Sequence, residues 1–414
     1  MNMQYGVIGE RLGHSFSREI HNLLADYDYS LREIPREELP RFMMERAFKA
    51  INVTIPYKEA VIPFLSEISP IAKRIGAVNT IVNRGGELYG DNTDYYGLKR
   101  LILKNIDPAG KTVLILGSGG TSKTAAVVME DLNAKEIVRV SRSAKDGAVT
   151  YPQAETEWSH AQIILNTTPC GMYPNNGQRP IDIGKFPKLC CVIDAIYNPL
   201  RSALVLDALE RGLPAEGGLY MLVAQAVRAV EVFTDSTLPE DALDKVYRKI
   251  LQSKENIVLT GMPGCGKTTV GALLAETTGR PVIDLDEEIV SKAGCSIADI
   301  FAAQGEKAFR DLEEEAIRDA AEPRTGCIIS TGGGAILRES NIRRLRANGK
   351  LIFLDRPLEA LLPTEDRPLA KDREAIRRRY EERYDRYCQT ADIRIPVAGT
   401  PEQAAQQIIK EFFQ

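Results

Sequence analysis

Lys267 and Thr268 close the segment Gly261-Met262-Pro263-Gly264-Cys265-Gly266-Lys267-Thr268-Thr269, whose spacing is the G-x-x-x-x-G-K-T of a phosphate-binding loop. Glycine at these positions lets backbone N–H groups turn inward onto phosphate oxygens. The Lys267 ammonium then reaches the β- and γ-phosphates of ATP, and the Thr268 hydroxyl can ligate Mg²⁺. Gly264, Cys265, Gly266 and Thr269 complete the expected ATP-binding set. A second, different glycine loop lies upstream, so one chain is expected to carry two nucleotide sites.

That second loop, Gly117-Ser118-Gly119-Gly120-Thr121-Ser122, approximates G-x-G-x-x-G, with serine in the last place. On pattern alone it also fits a tight turn. Its context favours a dinucleotide site: a strand precedes it and a helix follows, so a pyrophosphate could rest on the helix N-terminus. The end of the next strand says which dinucleotide. An NAD site places Asp or Glu there for the ribose 2′-hydroxyl. This chain has Ser141-Arg142-Ser143, with Lys145 nearby. A guanidinium suits a 2′-phosphate, so NADP(H) is expected, although Arg142 taken alone reads as a surface arginine.

The elements that must position these loops follow from the apolar runs. Tyr5–Gly9, 112–116, 136–140, 163–165 and 191–193 read as strands, with a helix from the glycine loop to about Leu132. Residues 219–233 and 240–252 read as helices, and the polar stretch Gln252-Ser253-Lys254-Glu255-Asn256 as a linker. Beyond it strands are expected near 257–260, 281–285, 327–331, 350–354 and 392–395. Strands alternating with helices predict an α/β fold with parallel sheets. No internal repeat is visible, and Arg377-Arg378-Arg379 reads as a solvated helix face.

At 414 residues the chain is long for one core, and about three compact units are expected. A net charge of −4 argues against a broad nucleic-acid surface. No apolar window is long enough to span a membrane, and no signal peptide is visible, so a cytoplasmic protein is expected. The seven cysteines form no C-x-x-C pair and read as reduced structural thiols. Three histidines make a histidine-based metal site unexpected.

Several separate stretches, in order, share one further pattern. They are Gly13-His14-Ser15-Phe16-Ser17 with His21-Asn22, Asn52-Val53-Thr54-Ile55-Pro56-Tyr57-Lys58, Gly76-Ala77-Val78-Asn79-Thr80 and Gly90-Asp91-Asn92-Thr93-Asp94. Then come Asn166-Thr167-Thr168-Pro169-Cys170-Gly171-Met172, Asp194-Ala195-Ile196-Tyr197-Asn198-Pro199 and Met221-Leu222-Val223-Ala224-Gln225. Jointly they resemble shikimate dehydrogenase over roughly residues 1–250; Arg18 stands where that family usually has proline. The resemblance implies a substrate lobe, 1–100 plus 215–252, with a Rossmann-like NADP lobe, 101–214, inserted in it. It implies a carboxylated, polyhydroxylated ring as substrate. Ser15 and Ser17 would bond the carboxylate, and Asn52, Thr54, Asn79 and Gln225 the ring hydroxyls, with Tyr197 also on the substrate and Gly218 on the cofactor. Lys58 and Asp94 would flank the reacting carbonyl, Lys58 as proton donor or electrostatic clamp and Asp94 positioning it.

The remainder, 253–414, resembles shikimate kinase, which implies a P-loop domain with a five-stranded parallel sheet. In Val282-Ile283-Asp284-Leu285-Asp286 a period of two would put both carboxylates on one face of a strand end. Asp284 then suits Mg²⁺, and Asp286 the acceptor hydroxyl as base or orienting group. Arg310 matches the family's arginine for the substrate carboxylate, and Gly332-Gly333-Gly334 the glycines that approach the ring. Arg367, in Arg367-Pro368-Leu369, resembles the lid arginine that meets the transferring phosphoryl group; the stretch from Leu358 to it is shorter than usual. Arg383 aligns with a second carboxylate-binding arginine, with Asp385 where the family has proline.

The implied activity is bifunctional: NADPH-dependent reduction of 3-dehydroshikimate to shikimate, then ATP-dependent phosphorylation of shikimate to shikimate 3-phosphate. Two alternatives stand beside it. One is a quinate/shikimate dehydrogenase using NAD, fused to a kinase. The other is a non-catalytic shikimate-sensing regulator built from enzyme-like domains.

Overall fold

Short runs of β-branched and aliphatic residues build three sheets, each covered by helices. The computed structural model describes residues 3–13, 15–145, 147–361 and 372–413. The chain divides into two compact units, Met1–Ile250 and Leu251–Gln414.

The first unit opens with a mixed sheet of β1 (Tyr5–Gly9), β2 (Tyr29–Glu33), β3 (Ala50–Val53), β4 (Glu67–Ile68), β5 (Thr80–Arg84) and β6 (Glu87–Asp91), in the order β2-β1-β3-β5-β6-β4. Alternation sorts its side chains. Ile8, Ile51 and Ile81 pack with Phe42, Met43 and Phe48 on one face. Val7, Ala50 and Val82 meet Ala229 and Phe233 of the helix Leu219–Thr234 on the other. The sheet is not wholly parallel, as strand–helix alternation predicted. β5 runs antiparallel to β3 and β6 because it is joined to β6 by the tight turn at Gly85 and Gly86.

The second sheet is parallel throughout, in the order β9-β8-β7-β10-β11-β12. Its strands are β7 (Thr112–Leu116), β8 (Glu136–Ser141), β9 (Val149–Thr150), β10 (Ile163–Asn166), β11 (Cys191–Asp194) and β12 (Ala215–Glu216). Counted from β7 this is the 3-2-1-4-5-6 order of a dinucleotide-binding fold, with its switch point between β7 and β10. Ala215 and Glu216, expected in the returning helices, pair instead with Val192 and Ile193 as the sheet's edge. The helix Leu219–Thr234 then crosses the helix Thr93–Asn105. The crossing is tightest at Gly97, where a methyl group would stand 2.5 Å from the Met221 carbonyl oxygen.

The stretch expected to link the halves is ordered structure. Gln252, Ser253 and Lys254 end the helix Ala242–Lys254, and Asn256 begins the next strand, fully buried. The second unit holds β13 (Asn256–Thr260), β14 (Val282–Asp284), β15 (Ile328–Ser330), β16 (Gly349–Asp355) and β17 (Ile393–Pro396), all parallel, in the order β14-β15-β13-β16-β17. Helices cover both faces: Ile257 and Leu259 point into one core and Val258 into the other.

Candidate active sites

At one end of the mixed sheet, polar side chains from several segments bond one another. Lys58 Nζ lies 2.5 Å from Asp94 Oδ2, with side chains only 16% and 10% exposed. Asp94 sits in the first turn of the helix Thr93–Asn105, which Asn92 caps by accepting from the Tyr95 N–H at 3.3 Å. A carboxylate there is favoured both by the helix N-terminus and by the ammonium. Beside the pair, Thr93 N–H donates to Asn79 Oδ1 at 2.7 Å, and Asn79 Nδ2 donates to Thr93 Oγ1 at 3.1 Å. Thr93 Oγ1 in turn reaches Gln225 Oε1 at 3.4 Å.

Asn52 is more heavily committed. Its amide donates to the Asn79 carbonyl at 3.3 Å and to Thr80 Oγ1 at 3.1 Å, while Tyr29 O–H donates to its Oδ1 at 2.7 Å. Behind Tyr29 the His21 ring is stacked at 3.8 Å, and burial pushes its pKa down to about 3. Thr54 follows β3, its N–H bonded to the Ile8 carbonyl at 3.0 Å. Ser15 Oγ lies 3.0 Å from Ser17 Oγ, and the intervening Phe16 ring lies 5.3 Å from the ring of Tyr197. The three residues expected on the substrate are thus neighbours.

The glycine loop closes the other wall. The first bond of the helix Gly120–Asp131 runs from Lys123 N–H to the Gly119 carbonyl. The N–H groups of Gly120, Thr121 and Ser122 therefore lie ahead of the ladder, at the positive end of the helix. A cleft of about 1190 Å³ is lined by Gly117, Ser118, Gly119, Gly120 and Thr121, by Ser141 and Arg142, and by Lys58. A methyl group on Gly120 would lie 3.8 Å from the Lys58 side chain. This donor set fits a dinucleotide phosphate: free helix-start amides at one end and a guanidinium where the ribose would end. Ser143 turns back onto Ser141 and does not line the cleft. Gly218 packs against the Ala195 carbonyl, where a methyl would stand at 2.1 Å, and also lies off the cleft.

Beneath the cleft, Asp194 is fully buried and accepts from Ser202 Oγ (2.6 Å), Ile196 N–H (3.0 Å) and Asn166 Nδ2 (3.0 Å). Burial pushes its pKa up to about 6. Asn166 Oδ1 accepts from Thr168 N–H and Oγ1, so one buried carboxylate ties the loop carrying Tyr197 to the loop carrying Thr168.

In the second unit the phosphate loop turns through Gly264 (φ 78°) and Gly266 (φ 102°), values that favour glycine. The first bond of the helix Lys267–Thr278 runs from Val270 N–H to the Gly266 carbonyl, leaving the N–H groups of Lys267, Thr268 and Thr269 ahead of it. Lys267 Nζ donates to the Gly261 carbonyl at 2.9 Å and the Met262 carbonyl at 3.1 Å. Thr268 Oγ1 lies 3.4 Å from Asp284 Oδ2. Among the described residues no group of three metal-binding side chains occurs. One hydroxyl and one carboxylate are nonetheless the sparse set that Mg²⁺ takes when phosphates and water supply the rest.

The expected strand pairing of Asp284 and Asp286 does not hold. The strand stops at Asp284, which caps the helix Leu285–Ala293 by accepting from the Asp286 N–H at 3.0 Å. Asp with a helix-forming sequence behind it favours a cap over an extended strand. The side chains still divide as expected, Asp284 toward Thr268 and Asp286 toward the glycines. A methyl on Gly332 would meet Asp286 Oδ1 at 3.0 Å and Glu313 Oε1 at 2.8 Å. A methyl on Gly334 would meet Arg310 Nη1 at 2.1 Å. Arg383 Nη1 donates to the Gly333 carbonyl at 2.9 Å. Asp286, Arg310, the glycine triplet and Arg383 therefore gather in one place. Burial and the neighbouring Arg310 charge hold the Arg383 pKa below its ordinary value.

Thr93 and Glu313 are site residues that sequence reasoning passed over. Thr93 stood inside a quoted motif. Glu313 sits three residues after Arg310 on one helix face and pairs with it at 2.8 Å, while burial raises its pKa. Arg367, with Pro368 and Leu369, and His14 lie outside the described residues.

Known proteins share both halves. The shikimate kinase family model matches residues 263–413, and that of the shikimate dehydrogenase substrate binding domain matches residues 7–81. Shikimate dehydrogenase (NADP(+)) of Clostridium perfringens (strain SM101 / Type A) is 36% identical over 264 residues, 59% of this chain and 97% of its own length. The crystal structure of shikimate dehydrogenase 1 from Peptoclostridium difficile superposes with a TM-score of 0.56 at 37% identity, covering 60% of this chain and 98% of that one. Shikimate 5-dehydrogenase from Thermus thermophilus, in complex with NADP(H) and shikimate, gives 0.54 at 27% identity, over 60% and 99%.

Proposed function

Since the chain belongs to the shikimate dehydrogenase family through its first unit and ends in a shikimate kinase domain, we propose that it works twice on one ring. The first unit reduces 3-dehydroshikimate to shikimate, and the second phosphorylates shikimate with ATP. We assign residues 1–252 to the first task, with lobes 1–100 plus 217–252 and 101–216, since Ala215 and Glu216 pair in the second sheet, and residues 253–414 to the second.

In the reduction, Ser15, Ser17 and Tyr197 receive the ring carboxylate. Asn52, Thr54, Asn79 and Gln225 receive the hydroxyls. NADPH supplies the hydride when bound along Gly117–Thr121, with Arg142 on its 2′-phosphate. Lys58 gives a proton from Nζ to the emerging alkoxide, and Asp94 keeps the ammonium at that place. In the phosphorylation, Arg310 and Arg383 receive the carboxylate, and Asp286 orients the acceptor hydroxyl or takes its proton. Lys267 and the loop amides would hold the phosphates, Thr268 and Asp284 would hold Mg²⁺, which offsets phosphate charge, and Arg367 would meet the transferring group.

The observation that carries this reading is that each unit sets a glycine-rich loop at a helix start beside a gathering of charged and polar side chains, Lys58 with Asp94 in the first and Arg310 with Asp286 and Arg383 in the second. The cytoplasm is the proposed compartment, since all seven thiols are free. In the described residues no helix is long and apolar enough to cross a membrane. The test uses the intact chain with 3-dehydroshikimate, NADPH and ATP. NADPH loss and ADP release should match one for one, and ADP release should require the reduction when no shikimate is added. Release of ADP without NADPH loss, or reduction with NADH as fast as with NADPH, would refute the scheme.

A further inference from the structure

One fully buried side chain of the second unit bonds both the nucleotide loop and the acceptor loop, and no role has been given to it. Tyr387 lies on the helix Arg373–Thr390, its ring stacked on Phe353 at 5.0 Å and 7°. Its hydroxyl lies 2.6 Å from the Gly333 carbonyl oxygen and 3.0 Å from the Gly261 carbonyl oxygen. Gly261 opens the phosphate loop, and Gly333 is the middle of the glycine triplet. Each carbonyl has a second donor, Lys267 Nζ at 2.9 Å for Gly261 and Arg383 Nη1 at 2.9 Å for Gly333. One polar line therefore runs Lys267, Gly261, Tyr387, Gly333, Arg383, from the lysine at the phosphates to the arginine at the carboxylate.

We propose that Tyr387 is a positioning residue for phosphoryl transfer, its hydroxyl fixing the separation of the nucleotide loop from the acceptor loop. The parallel pairing of β13 and β15 ends at Leu259 and Ser330, just before the two loops begin. Past that point a side-chain tie sets their spacing. A phenol has one proton for two carbonyls, so it can serve either loop but not both fully. Burial raises its pKa, which keeps it a neutral donor. Transfer needs the acceptor oxygen in line with the phosphorus, so a shift of about 1 Å between the loops costs up to roughly a hundredfold in rate while each ligand still binds.

The proposal rests on the kinase reading of this unit, and its test separates the two. Tyr387→Phe keeps the ring and the stack and removes one oxygen. In the full chain, kcat for shikimate phosphorylation should fall by about tenfold or more, with KM for ATP and for shikimate each within about threefold of wild type. Water should compete better for the misaligned phosphorus, so ADP released per shikimate phosphorylated should exceed one. Reduction of 3-dehydroshikimate by the same molecules should be unchanged. Phe353→Leu disturbs the stack and keeps the hydroxyl; it should lower thermal stability and leave the ADP-to-product ratio at one. The proposal is overturned if Tyr387→Phe keeps kcat and coupling, or if Phe353→Leu uncouples as strongly. A wild-type chain that releases no ADP in response to shikimate would instead remove the kinase reading, and this proposal with it.

Discussion

In the first unit Lys58 bonds Asp94 and Asn79 bonds Thr93, side chain to side chain. In the second, Lys267 and Arg383 bond the carbonyls of Gly261 and Gly333, side chain to backbone. The first pocket is shaped by what its side chains hold, and the second by where glycines let the chain pass. A deletion should therefore be the most damaging change in the first, and an added methyl group nearly as damaging as a deletion in the second.

Lys58→Ala should have the largest effect. Reduction should slow by about 10²–10⁴-fold, the usual contribution of a placed proton donor, while phosphorylation is unaltered. Steady-state rates of both activities on one preparation check this, and reduction at the wild-type rate would break the comparison. Gly334→Ala comes next. Its methyl would stand 2.1 Å from Arg310 Nη1 and displace the guanidinium. Losing one hydrogen bond to a charged group, about 1.5–3 kcal/mol, predicts a drop in kcat/KM for shikimate phosphorylation of roughly ten- to a hundredfold. Unchanged kinetics would mean that the glycine serves only as a turn.

Arg142→Ala should cut the preference for NADPH over NADH by about tenfold through the KM for NADPH, since an exposed arginine is screened by water. Competing initial rates with the two cofactors measure it. The smallest effect concerns side-chain pairing on the helix that carries Arg310. The guanidinium of Arg344, with that of Arg338, holds the Glu314 pKa at about 2 against an ordinary 4.5. That stabilisation is present at neutral pH and is lost as pH falls from about 4.5 toward 2. With screening at a side chain 29% exposed, Glu314→Gln should cost about 1 kcal/mol at pH 7. Thermal unfolding at stepped pH should show the difference narrowing below 4.5, with both activities unchanged at pH 7.

Both nucleotide loops were legible because their spacing is itself the geometry: a strand, glycines at fixed offsets and a helix leave few ways to fold. Lys58 with Asp94, and Asp286 with Arg310, could be named from local motifs, yet their meeting depends on contacts between distant segments. The Asp284–Asp286 misreading shows the limit of periodicity. A period of two holds only inside a strand, and this one ends at the first aspartate. The direction of β5 was not legible from hydrophobic runs, since a two-glycine turn sets it. Ser143, named from its place at the strand end, closes a turn, and Gly218, named by resemblance, lets two backbone segments touch. Tyr387 stands four residues past Arg383 and carries no motif of its own. Its role as a tie depends on two carbonyls far away in the chain.

Gly97 has a consequence beyond packing. Thr93 and Gln225, 132 positions apart, reach each other only because the helices Thr93–Asn105 and Leu219–Thr234 cross with a hydrogen atom's clearance at that glycine. The nucleotide-holding lobe leaves through one of those helices and returns through the other, and their crossing is a rivet between them. A lesion at the rivet would present in an assay as a lost catalytic group, although it touches neither ring nor cofactor.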